Sequence, residues 1–210
     1  FDLYLSADSD RPQELVEAGR VDQAMLADYA VGQLALWSGE NKLAGLVEFP
    51  PENFNLCAAL DRQVLLKGDA VRHLAMANPR LAPYGRAAQE AIESLAWSGS
   101  LASRRVSGEN VSQTYQFIYS GAAELGFISL SQLPLRGVET SIGENYWIVP
   151  DCLHNPIRQS MVLLSDSNAA RQLFDFIQGE SASQIIKASG YKLPETLPVS
   201  IVVASTKVTS

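Results

Sequence analysis

The sequence predicts an α/β fold with mainly parallel sheets. Apolar strand-like runs alternate with amphipathic helical runs along its 210 residues. That length suits one large domain or two small lobes with a real core. A content of 47% hydrophobic and 19% charged residues is ordinary for a soluble globular protein. No apolar run approaches the length of a membrane span.

Residues 1–7 alternate as a strand, and Asp8 to Pro12 supply turn and cap chemistry. Pro12 to Ala18 make a short helix that Gly19 stops. Asp28 to Trp37 is apolar and β-like, whereas residues 38–55 are rich in Gly, Pro and Asn and read as loop. Leu56 to Leu66 suits a helix capped by Asn55. Leu74 and Met76 mark a short buried strand, and Pro79 and Pro83 break the chain after it. A helix then opens at Pro83–Tyr84–Gly85 and carries Ala87, Ala88, Ala91, Ile92 and Leu95 at helical spacing.

Beyond a polar stretch from Ser98 to Gly108, Glu109 to Tyr119 makes a second helix with Val111, Tyr115 and Ile118 apolar. Leu125 to Leu130 is a buried strand beyond the turn at Gly121. Tyr146–Val149 and Ser160–Leu164 are further strands. Asn168–Gln178 and Ser181–Ser189 are amphipathic helices, the second ending at Gly190. In the tail, Ser200 to Ala204 is β-branched and apolar, which suits a parallel strand, an edge strand or a disordered end.

Two of these helices bear on function. Proline near a helix start is pre-set in φ and wastes no donor, and Gly85 leaves the backbone beside it uncovered. A helix start with bare amides attracts anions. Glu109–Asn110–Val111 opens the second such start. The same residues also suit an ordinary strand–loop–helix unit. A formal net charge of −7 and a pI near 4.8 argue against nucleic acid or anionic membrane as partner. An acidic protein that binds an anion captures it with local dipoles and hydrogen bonds. Cys57 and Cys152 are compatible with a disulfide or with two buried thiols. Cys152, His154 and the distant His73 are too few for a metal site. The sequence contains no G-x-S-x-G elbow and no P-loop.

Four blocks together resemble the periplasmic molybdate-binding proteins of ABC importers. They are FDLYLSADSDRPQELVEAG (Phe1–Gly19), NPRLAPYGRAAQEAI (Asn78–Ile92), GENVSQTYQFIYSGAAELGFISLSQL (Gly108–Leu133), and the span from NPIRQSMVLL through SGYKLP (Asn155–Pro194). They follow the family's order over residues 1 to about 194. The resemblance implies a two-lobed periplasmic-binding-protein fold, with residues 1–33 and 160–210 in lobe I, residues 34–159 in lobe II, and a ligand cleft between them. The crossings near Gln33–Leu34 and Arg158–Gln159 would be the hinges.

Carried over by position, Tyr84 falls on an oxyanion contact made through its N–H, with its hydroxyl or ring walling the site. Val111 falls on a second N–H contact. Ser129 aligns where some members place a tyrosine hydroxyl, and bonding to backbone is expected of it here. Asn110 is expected to cap its helix, and Arg86 to face solvent. The family's opening strand, helix and Ser-Ser-Gly turn have no counterpart ahead of Phe1, so first-lobe hydroxyls are expected from elsewhere. The tail resembles that first strand, which makes Ser205 and Thr206 candidates.

The function so implied is a periplasmic, monomeric solute-binding protein, not an enzyme, that delivers molybdate or tungstate to an ABC permease without a cofactor. The alternatives are a sensing or interaction domain with a degenerate oxyanion site, or a hydrolase.

Overall fold

The computed structural model describes residues 1–39, 43–50, 55–58, 64–67, 70–101, 103–135 and 145–195. The first part of the chain forms β1 (Leu3–Ser6), α1 (Asp10–Glu17), β2 (Leu26–Gly32), β3 (Leu34–Trp37), α2 (Leu43–Leu46), β4 (Val47–Glu48), β5 (Leu65–Leu66) and β6 (Leu74–Ala77). There follow α3 (Pro83–Ser94), α4 (Ser98–Leu101), β7 (Arg105–Gly108), α5 (Val111–Tyr119) and β8 (Leu125–Ser129). The chain continues through α6 (Gln132–Leu135), β9 (Tyr146–Ile148), β10 (Ile157–Leu163), α7 (Asn168–Gln178) and α8 (Glu180–Ala188).

Two larger sheets organise these elements, and β4 pairs with β5 in a small third one. One has the order β1-β10-β2 and the other β7-β6-β8-β3-β9. The α/β architecture matches expectation, but the sense of the strands does not. The three-stranded sheet is antiparallel throughout, and in the five-stranded sheet only β7-β6-β8 run parallel. Parallel neighbours arise where a helix returns the chain to the same edge, as α3 and α5 do. The single residue Gln33 separates β2 from β3, so the chain steps from one sheet straight into the other. It comes back through β9 and β10, which pair antiparallel with β3 and β2 respectively. Arg158 and Gln159, expected at the return passage, lie inside β10, already paired with Val31 and Ala30.

The five-stranded sheet is covered on both faces. Leu34, Leu36, Leu74, Met76, Leu125 and Phe127 meet Ala87, Ala88, Ala91 and Ile92 of α3. Ala35, Trp37, Ala75 and Ile128 meet Tyr115 and Ile118 of α5 on the other side. This is the period-two alternation of a sheet buried on both faces. A smaller cluster of Met161, Leu163, Ala170 and Phe174 packs α7 on the three-stranded sheet.

Two local expectations change. Of the span expected as one helix, the described residues give a turn at Leu56–Ala58 closed on Asn55, and a strand at Leu65–Leu66 paired with Val47–Glu48. The polar stretch 98–108 contains α4 and β7, a strand at the sheet's edge, where one flank needs no apolar cover. Cys57 and Cys152 form a disulfide.

Candidate functional site

The helices α3 and α5 begin side by side, because each follows one of two adjacent parallel strands. Ala77 at the end of β6 is paired with Gly108 at the end of β7, and the Asn78 N–H donates to the Gly108 carbonyl at 2.7 Å. At the start of α3, Pro83 has no N–H to place. The amides of Gly85 and Arg86 both donate to the Ala82 carbonyl, at 2.9 and 3.1 Å. The Tyr84 amide is therefore the leading donor of that helix.

At the start of α5, the Asn110 side chain accepts from the Gln113 amide at 2.9 Å, and the Gln113 side chain accepts from the Glu109 amide at 2.7 Å. Asn110 is thus the cap, as expected, and the leading donors pass to Val111 and Ser112. Gly85 acts differently from expectation. A Cβ there would stand 2.5 Å from the Ala77 carbonyl oxygen, so its bareness lets α3 approach the end of β6 rather than exposing amides to a ligand.

Tyr84 is 6% exposed, with its ring inside the main core. Its hydroxyl accepts a hydrogen bond from Ser129 Oγ at 2.8 Å. Burial pushes the phenol well above its ordinary pKa range against the opposing bond from Ser129, and neighbouring Tyr191 and Tyr29 add to the rise. Near neutral pH Tyr84 is a protonated, neutral donor.

Ser129 does not bond to backbone through its hydroxyl, as expected for a buried serine. Its Oγ lies 2.8 Å from the Tyr84 hydroxyl and 2.8 Å from Ser131 Oγ, and Ser131 Oγ lies 3.2 Å from the Tyr191 hydroxyl. The Ser129 amide donates to Gln132 Oε1 at 3.1 Å, and Gln132 Nε2 donates to the Val111 carbonyl at 3.2 Å. Tyr84, Ser129 and Val111 are in this way joined into one hydrogen-bonded unit. Its further members Ser131, Gln132 and Tyr191 are not among the residues expected from the sequence. A signal for them exists there: the first two follow a buried strand directly, and Tyr191 sits in the closing Gly-Tyr-x-x-Pro. Ser205 and Thr206 lie outside the described residues.

Near α3, Glu90 accepts from the Asn155 amide and side chain, while its neighbour Arg86 forms an ion pair. Arg86, expected to face solvent, has a side chain 44% exposed and pairs with Asp10 at 3.1 Å. That ion pair lies across a cavity of about 200 Å³ lined by Asp8 and Ser9, by Pro83 and Ala87 of α3, and by Asn155 and Ile157. Asp10 belongs to α1 and Arg86 to α3, so the cavity opens between elements packed on the two different sheets. Arg158 is likewise paired, with Asp28 at 2.8 Å. Among the described residues, no three His, Cys, Asp or Glu side chains cluster as metal ligands, and Cys152 is consumed by the disulfide.

The model of the bacterial extracellular solute-binding protein family matches residues 1–192. The molybdate-binding protein ModA of Azotobacter vinelandii is 38% identical over 196 residues, which are 92% of this chain and 71% of that protein. ModA of Rhodobacter capsulatus is 36% identical over 194 residues, 91% of this chain and 69% of that one. The solved structure of the Azotobacter vinelandii periplasmic molybdate-binding protein superimposes with a TM-score of 0.72 at 32% identity, covering 93% of this chain and 79% of that one.

Proposed function

Since the chain belongs to the bacterial extracellular solute-binding protein family, and so binds a solute rather than transforming one, we propose that it captures molybdate or tungstate and delivers it, in the periplasm, to the permease of an ABC importer. It does so as a monomer and without a cofactor. The observation that carries this reading is the pair of adjacent helix starts, tied together through Tyr84, Ser129, Gln132 and Val111. Leading amides at Tyr84 and Val111 donate to the oxyanion, and the neutral Tyr84 hydroxyl walls the site, with Ser129 behind it.

The proposal also includes Ser205 and Thr206 as further hydroxyl donors. It divides the chain into lobe I, residues 1–33 and 160–210, and lobe II, residues 34–159. The single-residue passage at Gln33 supports one hinge between them, and closure of the lobes encloses the ligand. Selectivity over sulfate follows from cavity size, because tetrahedral dianions accept similar hydrogen bonds.

Calorimetric titration of the chain with molybdate and tungstate, against sulfate and phosphate, tests this reading. Tight molybdate or tungstate binding with little response to the controls is expected. No heat with any oxyanion from a folded sample would leave the sensing or interaction domain as the better reading.

A further inference from the structure

Asp10 and Arg86 each stand in the first turn of a helix that follows a strand end. Asp10 opens α1 after β1, and Arg86 lies in the opening turn of α3 after β6, two residues beyond Tyr84. The helix α1 packs on the three-stranded sheet and α3 on the five-stranded one. Their ion pair, at 3.1 Å, therefore bridges the two sheets beside the proposed site. It does so across the cavity of about 200 Å³, and none of the described hydrophobic clusters joins α1 to α3. One turn along the same face of α3, Glu90 accepts from the Asn155 amide at 2.6 Å and from Asn155 Nδ2 at 3.0 Å. Asn155 leads through Pro156 into β10, so α3 is tied to the return passage. Rotation about the passages then changes the gap between α3 and α1. A second ion pair, Lys192 with Asp151, lies close to the passages, where Lys192 is bonded to Val31 through backbone.

We infer that the Asp10–Arg86 ion pair is a latch that favours the closed arrangement of the two lobes and slows release of the bound oxyanion. This rests on the oxyanion reading above and on its two-lobe division. The attraction acts only while the lobes hold this separation, because salt screens exposed charges beyond about 8 Å. Whatever stabilises the closed arrangement tightens binding of a ligand that needs it, and by the same factor. Side chains 44% and 65% exposed form a weak pair in water, which lets the lobes reopen. The sign of two substitutions separates a latch from a plain field effect. Arg86 places a positive charge near the proposed anion, and Asp10 a negative one. By field alone, neutralising Arg86 weakens anion binding and neutralising Asp10 strengthens it. A latch needs both halves, so neutralising either one weakens binding.

The experiment is a set of molybdate titrations and stopped-flow dissociation measurements on the full chain. The variants are Asp10→Asn, Arg86→Gln and the double variant Asp10→Asn/Arg86→Gln. The control is Glu14→Gln, which removes an acid from α1 whose partner, Arg11, is on the same helix. Asp10 and Arg86 both reach solvent, so each variant is expected to fold. Asp10→Asn is expected to raise the Kd about two- to fivefold, through faster dissociation, and Arg86→Gln at least as much. The double variant is expected to bind no more weakly than Arg86→Gln, since the latch is lost only once. Added salt is expected to narrow the gap between wild type and Asp10→Asn, and Glu14→Gln to leave the affinity unchanged. An Asp10→Asn chain that binds as tightly as wild type, or more tightly, overturns the latch and leaves the oxyanion reading in place. So does a Glu14→Gln chain weakened as much as Asp10→Asn. A wild-type chain that binds no oxyanion overturns the parent reading, and the latch falls with it.

Discussion

The hydroxyl of Tyr84 fills the space that a side chain on Gly32 would need. A Cβ on Gly32 would stand 2.2 Å from that oxygen and 2.8 Å from the ring carbon Cζ. Gly32 ends β2, one residue before the chain passes between the sheets, and Tyr84 opens α3 on the other sheet. The side chain at the proposed site therefore touches the backbone of the proposed hinge.

Gly32→Ala must push the Tyr84 ring aside or bend the end of β2. Overpacking of this kind costs about 1–3 kcal/mol. Urea unfolding is expected to show a loss in that range, and molybdate titration a weaker affinity. Wild-type values for both would mean that Tyr84 yields freely and does not link site to hinge.

Gly85→Ala separates steric from conformational effects. In an open helix, alanine for glycine stabilises by about 0.5–1 kcal/mol. Here the new methyl meets the Ala77 carbonyl oxygen at 2.5 Å and the Asn78 carbonyl at 2.8 Å, and backbone cannot rotate away. A net destabilisation of about 1–3 kcal/mol in urea is expected, so the sign alone decides.

Glu124 makes stability depend on pH. Burial raises its pKa, but the His73 amide at 2.8 Å and the Arg72 guanidinium at 2.9 Å outweigh this and hold the carboxyl below its ordinary value. A group depressed in the folded state contributes stability above its unfolded pKa, and that contribution disappears as pH falls through the folded one. Glu124→Gln is therefore expected to be less stable than wild type at pH 7. The gap should close as the medium is acidified through and below the ordinary carboxylate range. An equal gap at pH 7 and pH 3, read from urea midpoints, would contradict this.

The disulfide closes a long loop, since Cys57 and Cys152 are 95 residues apart. Cross-links of that span restrict the unfolded chain and contribute about 2–4 kcal/mol. It also ties the turn at 55–58 to the segment between β9 and β10. Reduction, or the Cys57→Ser/Cys152→Ser pair, is expected to lower the thermal midpoint by several degrees. An unchanged midpoint would show that core packing holds this segment without help.

Much of the site's location is legible in the amino-acid sequence. Pro83 and Gly85 announce a helix start beside a buried strand, and Asn110 followed by Gln113 announces another. Each signal acts over a few residues, so each survives without tertiary context. Ser129 falls on the expected strand but bonds to an unexpected partner, because a serine hydroxyl bonds to whatever the neighbouring elements bring. That partner, Tyr84, is 45 residues away in sequence. Tyr191 is distant in sequence from both, so nothing local to it specifies a role. Among the described residues of the span expected as a helix, Leu56–Leu66, a turn and a strand stand for the same reason. Leu65 and Leu66 are apolar enough for either state, and their pairing with Val47 and Glu48 decides the matter.

By itself the sequence determined where strands and helices alternate, that helices start at Pro83 and after Asn110, and that the chain as a whole carries an acidic balance. Those properties follow from local periodicity, from proline and glycine, and from composition, none of which depends on distant contacts. Tertiary structure alone decided the antiparallel sense of the smaller sheet, the bond between Cys57 and Cys152, the fit of Tyr84 against Gly32, and the hydroxyl row from Tyr84 to Tyr191. The physical reason is that hydrogen bonds and steric contacts between remote residues exist only once the core has set the spacing of the elements that carry them.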